Sequence, residues 1–129
     1  MNDIAFLTPD PDVLARREAI LAGLADLVPA EALVTDPREL VPFETDAFTA
    51  YRRVPLAVVL PGTTEEVAAV LAFCADQGVP VVPRGAGTSL AGGAIPQEDA
   101  VVIGVSRMNR ILEIDHDNRT CTVQAGVTN

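Results

Sequence analysis

Apolar positions along this chain fall into two kinds of spacing, and the alternation between them predicts a mixed fold. In the first kind, Val13, Leu14, Leu21, Leu24 and Leu27 recur with Arg17 at intervals of one, three and four, so an amphipathic helix is expected over 11–27. Asp10 before Pro11 offers an N-cap followed by proline at the first helical position, and Pro29 stops the helix. Arg16, Arg17 and Glu18 are placed on its solvent face. Residues 1–9 read as a loosely held lead-in. A second helix is signalled by Thr63 with Glu66 three positions later, a capping-box pattern, followed by the stripe Val67, Val70, Leu71 and Cys74 and closed by Gly78.

In the second kind, short apolar runs are bounded by turn residues. Leu56 to Leu60, closed by Pro61-Gly62, then Val79 to Val82 and Val101 to Val105 read as strands. Leu33-Val34-Thr35 and Leu40-Val41-Pro42-Phe43 flank Asp36-Pro37, a turn-forming pair. Ile111 to Asp115 and Thr120 to Ala125, joined through His116-Asp117-Asn118-Arg119, form a hairpin candidate, with His116 as a solvent-facing turn residue. The order strand, helix, strand over 56–82 is a βαβ unit, for which parallel pairing by a right-handed crossover is the default. The expected class is therefore α+β, a βαβ unit followed by a hairpin. Residues 44–54 have no sustained period and read as loop, with Tyr51 and Arg52 as candidates to face a ligand or an adjoining domain.

The chemistry concentrates where the second strand of that unit ends. Val81-Val82-Pro83-Arg84 runs into Gly85-Ala86-Gly87-Thr88-Ser89-Leu90-Ala91-Gly92-Gly93, with four glycines in nine residues. Ordered glycine carries an entropic penalty, so this density implies backbone demands that other residues do not meet. Such a loop offers close approach, several N–H donors and the Thr88 and Ser89 hydroxyls to one anion, most simply a diphosphate. Its position at the carboxyl end of a parallel strand is where open α/β architectures bind ligands. The spacing lacks the third glycine of the nicotinamide dinucleotide fingerprint. It also lacks the Gly-Lys-Ser/Thr ending of a nucleoside-triphosphatase loop, and Arg84 is the only cation in it. Ser89 is not in a Gly-x-Ser-x-Gly elbow.

Charge and cysteine content narrow the partners. A formal net charge of -9 on 129 residues argues against nucleic acid or an anionic membrane surface. No apolar run approaches the roughly 20 residues of a membrane span, and Met1-Asn2-Asp3 does not open a secretory signal, so a cytoplasmic location is expected. Cys74 and Cys121 have no CxxC or histidine companions and read as buried free thiols, with no metal site. Gly126-Val127-Thr128-Asn129 leaves a completed strand with candidate helix caps at Thr128 and Asn129, and the chain reads as part of a larger protein.

Taken together, Thr45-Asp46, Tyr51-Arg52, Pro61 through Val67, Pro83 through Gly93 and Asn118 through Asn129 resemble the N-terminal region of FAD-linked oxidases and dehydrogenases of the p-cresol methylhydroxylase, or vanillyl-alcohol oxidase, flavin fold. The subgroup most similar is that of glycolate oxidase flavoprotein subunits and D-lactate dehydrogenases. The resemblance covers most of 40–129, expected to be an incomplete FAD-binding domain, while 1–39 resembles the more variable lead-in.

It implies that Pro83, Arg84, Gly85, Ala86, Gly87, Thr88, Ser89, Leu90, Gly92 and Gly93 wrap the FAD diphosphate and that Gly126 approaches the flavin region. Noncovalent FAD is implied, because the loop carries no histidine for attachment. The implied reaction is oxidation of a D-2-hydroxy acid such as glycolate or D-lactate, with electrons passed to an acceptor. No catalytic or metal residue is assigned within this chain, and a homodimer through surface left exposed is an open expectation. An FAD-linked oxidase of another alcohol or a sugar, or a noncatalytic anion-binding or assembly module, remains an alternative.

Overall fold

A computed structural model describes residues 8–128 of the chain. The expected lead-in over 1–9 lies almost entirely outside the described residues, as does the candidate cap Asn129. Helix α1, Pro11–Ala15, begins where the sequence placed it, with the Asp10 side chain accepting from Asp12 N at 2.8 Å. It does not continue unbroken to 27. At Arg16 the backbone leaves the helical region (φ -96, ψ 12), and α2 resumes over Arg17–Ala25. Arg16 is exposed, as expected, and from the solvent face it reaches across to Gln77, donating to its carbonyl at 2.9 Å and to its side-chain oxygen at 3.1 Å. Val13 on the first piece and Ile20 and Leu24 on the second are buried in one core, so the contribution of Ile20 adds to the stripe read from the sequence.

Strand β1, Leu33–Val34, is followed by a short helix α3, Pro37–Leu40, where only a turn was expected. Asp36 before Pro37 makes the difference, since its side chain accepts from Arg38 N at 2.8 Å and so caps the helix. The chain then makes a 3-10 turn over Val41–Phe43.

The principal sheet is completed by β2, Ala57–Val59, by β3, Val81–Arg84, and by β4, Val101–Gly104, with helix α4, Thr64–Gln77, between β2 and β3. Its strand order is β1-β2-β4-β3. The two strands of the βαβ unit share the sheet and its direction but do not pair with each other, because β4 lies between them, parallel to both. The physical reason is burial. All four residues of β4 are buried, as a central strand covered on both faces requires, whereas β3 is only partly buried and contains Pro83, whose missing N–H suits an edge. Leu24, Val70, Cys74 and Val101 belong to the core packed by the helices, and Leu40, Val58 and Val102 form a second cluster.

The cap of α4 is close to the one expected. Thr63 accepts from Glu66 N at 3.2 Å, but the Glu66 carboxylate reaches back to Gly62 N, at 2.7 Å, one residue earlier than a standard capping box. Gly78 ends the helix in the left-handed region at φ 66.

The hairpin forms as a separate two-stranded sheet, β5 over Ile111–Asp115 and β6 over Thr120–Val123. His116 is exposed in its turn. The Asp115 carboxylate accepts from Asn118 N at 2.9 Å and from Asn118 Nδ2 at 2.7 Å, and these bonds, the backbone one foremost, hold its carboxyl below the ordinary range. Cys121 corrects the sequence reading. It is exposed on β6, because the hairpin stands apart from the main core and, among the described residues, no element covers that strand.

Cys74 is buried, and burial pushes its thiol up to about 11. At pH 8 its thiolate fraction is then on the order of one in a thousand. A maleimide or disulfide reagent is expected to label one thiol per native chain, Cys121, with Cys74 reacting only after denaturation. Rapid modification of two thiols in the folded protein would contradict this burial.

Candidate functional site

The site begins where β3 and β4 end side by side. Arg84 pairs in register with Gly104, and Val105 N donates to the Arg84 carbonyl at 3.1 Å. Residues 85–93 then cross the carboxyl ends of these parallel strands, the position inferred from the sequence. Two of the four loop glycines meet a conformational demand, Gly87 at φ 71 and Gly92 at φ 75. Gly85 and Gly93 have neither a left-handed φ nor any atom within 4 Å of where a side chain would begin. They leave open space beside the loop, available to something outside the chain.

The loop's donors are free. None of the backbone N–H groups from Gly85 to Leu90 has a protein acceptor among the described residues. The Ser89 hydroxyl oxygen accepts from Ala91 N at 3.2 Å, while Thr88 and Ser89 are both exposed. Leu90, named with the site, is 74% exposed and packs on little of the protein.

Arg84 is not in this row of donors. Its guanidinium turns beneath the loop, donating to the Thr45 carbonyl at 2.7 Å and to the Pro42 carbonyl at 3.3 Å, and lies 5.5 Å from the centre of the Phe43 ring. A side chain on Gly87 would run into that guanidinium.

Opposite the loop, the segment after β6 docks against the turn after β4. Gly126 N donates to the Met108 carbonyl at 2.8 Å, and Gln124 N to the Arg110 carbonyl at 2.9 Å. Gly126 is so close to this turn that a side chain there would overlap the Val105 carbonyl. Between the two walls lies an open cleft of about 680 Å³, with Gly85, Ala86 and Thr88 on one side and Ser106, Asn109 and Gly126 among the residues completing it. Among the described residues no acidic side chain lines the cleft, although the chain carries a net charge of -9. Unpartnered N–H groups beside a carboxylate-free cleft are what a dinucleotide diphosphate requires, so the residues present fit that group.

Gly126, which the resemblance implied would approach the flavin, lines this cleft, whereas Ser106 and Asn109 were not singled out in the sequence. Their one local signal is their place just after an apolar strand, and their facing of the loop follows from the insertion of β4 beside β3. The two loop candidates at 51 and 52 separate. Tyr51 lines a smaller hollow of about 370 Å³ with Phe48, Ala91, Gly92 and Gln97, whereas Arg52 pairs with Glu44 at 2.9 Å. Among the described residues, no group of three or more His, Cys, Asp or Glu is placed to hold a metal ion, and no helix is long and apolar enough to cross a membrane.

Comparison with known proteins bears on the family and the fold. Residues 55–129 match the family model of an FAD binding domain. Over 121 residues the chain is 44% identical to glycolate oxidase subunit GlcD of Escherichia coli, an alignment covering 94% of this chain and 23% of that protein. It is 46% identical over 71 residues to a D-lactate dehydrogenase of Archaeoglobus fulgidus, covering 55% of this chain and 16% of the relative. Among solved structures, p-cresol methylhydroxylase with substrate bound superposes with a TM-score of 0.78 at 22% identity, over 93% of this chain and 24% of that one, a likeness of fold. The chain thus spans about a quarter or less of the length of these proteins.

Proposed function

Because this chain belongs to the family of FAD-binding domains of FAD-linked oxidoreductases, we propose that its glycine loop holds the FAD diphosphate and that the whole protein oxidises a D-2-hydroxy acid such as glycolate or D-lactate. The observation that carries the cofactor assignment is the run of unpartnered N–H groups from Gly85 to Leu90 beside a cleft without carboxylates. In this reading the N–H groups and the Thr88 and Ser89 hydroxyls meet the phosphate oxygens. Pro83 and Arg84 set where the loop starts, while Gly92 and Gly93 turn the chain along the ligand. Gly126 keeps the opposite wall close. FAD is held noncovalently, since the loop presents Thr88 and Ser89 and contains no histidine. When bound, the flavin supplies the acceptor for the hydride leaving the hydroxyl-bearing carbon.

The substrate class is supported by the names of the relatives, a glycolate oxidase subunit and a D-lactate dehydrogenase. Residues 40–129 are the FAD-binding portion in this proposal and 1–39 the lead-in, with substrate contacts and the electron acceptor's site contributed elsewhere in the whole protein. A titration with FAD, followed by visible absorption and flavin fluorescence on a sample whose fold is checked by circular dichroism, tests the cofactor site. The chain with its natural flanking sequence is expected to be yellow and to oxidise glycolate or D-lactate with an artificial acceptor. A folded protein in that context without flavin overturns the cofactor assignment. A flavin-loaded protein that turns over other alcohols or sugars but no 2-hydroxy acid overturns the substrate class.

Two further parts of the proposal concern assembly and place. Ile111, Leu112 and Ile114 are each more than half exposed on β5, so the chain by itself is expected to dimerise through the hairpin. A constant monomer mass across a concentration series contradicts that expectation. A cytoplasmic location is checked by fractionation of the producing cells, and recovery in the membrane or secreted fraction overturns it.

A further inference from the structure

We infer that Arg84 is a positioning residue for the phosphate loop, part of a brace formed with residues 42–48, and that it does not serve as the countercharge to the phosphates. The inference rests on the FAD reading only for the identity of the ligand. Four observations carry it. The guanidinium of Arg84 donates to two backbone carbonyls, those of Thr45 at 2.7 Å and Pro42 at 3.3 Å, and it stacks 5.5 Å from the Phe43 ring centre. The left-handed turn at Gly87 passes directly over that guanidinium, where a side chain has no room.

The far part of the loop is held by the same segment, because Ala47 N donates to the Ser89 carbonyl at 3.1 Å. The segment is itself stiffened at Asp46, which is 4% exposed and whose Oδ1 accepts from Phe48 N at 2.8 Å. The unpartnered donors of the loop therefore run between two anchors on one strap. Their convergence on a single anion depends on those anchors, since an unanchored loop loses affinity to the entropy of ordering it. A planar fork aimed at two carbonyls is a geometry that a lysine ammonium does not reproduce, so charge and positioning can be separated.

The test uses the whole chain, with FAD as the probe, at several salt concentrations. Arg84→Lys keeps the charge and Arg84→Gln removes it. Both are expected to weaken FAD binding tenfold or more and by similar factors, with the slope of log Kd against log salt left as in the wild type. Ala47→Pro provides a second variant that leaves every charge in place. Position 47 lies inside the Asx turn in which Phe48 N donates to Asp46 Oδ1, a place where proline is common, and the substitution removes the N–H that holds Ser89. It is expected to weaken FAD binding as well. In ligand-free protein, nitrogen-15 relaxation should show lower order parameters for residues 85–89 in all three variants, with the strands of the main sheet unchanged.

If Arg84→Lys binds FAD within twofold of the wild type while Arg84→Gln loses affinity and flattens the salt dependence, Arg84 is a countercharge and the inference is overturned. Unchanged loop order in all three variants overturns it equally. A wild-type chain that fails to bind FAD even with its natural flanking sequence defeats the cofactor reading by itself, and the relaxation measurement on the ligand-free loop still decides whether the brace exists.

Discussion

Replacing Gly126 by alanine is expected to lower the melting temperature by roughly 10 °C and to weaken FAD binding at least tenfold. The added methyl group would overlap the Val105 carbonyl oxygen, with the Val105 carbonyl carbon at 2.8 Å and the Met108 carbonyl oxygen at 2.9 Å. All of these are backbone atoms, so no side chain can rotate away and one of the two segments must move. That movement breaks the bond from Gly126 N to the Met108 carbonyl, which ties the hairpin to the main sheet. Overpacking of this kind costs about 1–3 kcal/mol, and for a domain of this size the upper end corresponds to a melting shift of roughly the stated amount. The cleft wall opposite the glycine loop moves with it. Thermal denaturation and an FAD titration check the two effects, and a melting temperature within about 2 °C of the wild type would contradict the close approach.

Gly87→Ala should act mainly on the ligand. Gly87 is held at φ 71, a conformation that disfavours alanine by about 1–2 kcal/mol, and its new methyl group would press on the Arg84 guanidinium. Because Arg84 is fastened to Thr45 at 2.7 Å, relief requires loosening the brace or shifting the loop. Either change spoils the convergence of the N–H donors, so FAD affinity is expected to fall by roughly 10- to 100-fold with a melting shift of only a few degrees. Gly85→Ala is the matched control, since nothing lies within 4 Å of the added group and the backbone carries no left-handed φ. It should leave the fold unchanged, so any loss of FAD affinity there reports contact between the ligand and the loop. If Gly87→Ala binds FAD as the wild type does, the loop is not the diphosphate site.

These contrasting glycines show how far the site was legible. Their density marked the loop, and the apolar run before them placed it at the end of a strand. The sequence could not separate Gly87 and Gly92, which need the left-handed region, from Gly85 and Gly93, which do not. Arg84 shows the same limit in another form. As the only cation in the loop it reads naturally as a partner for phosphate, yet the acceptors that fix its direction, at Pro42 and Thr45, lie about forty positions earlier in the chain.

By itself the sequence determined the local elements whose causes are local. The cap at Asp10, the cap at Thr63, the stop at Gly78 and the turn joining the two hairpin strands act over a few residues, and each is realised. It also carried the ordered motifs that identify an FAD-binding domain. The tertiary structure decided the placement of β4 between β2 and β3, the break at Arg16, the exposure of Cys121 and the cleft that joins Ser106, Asn109 and Gly126 to the loop. The reason is physical. Which strand takes the centre of a sheet depends on how completely its two faces can be covered, and which groups a side chain meets depends on elements far away in sequence. Neither quantity is carried by periodicity along the chain, because both are set only when the separate elements compete for the same core.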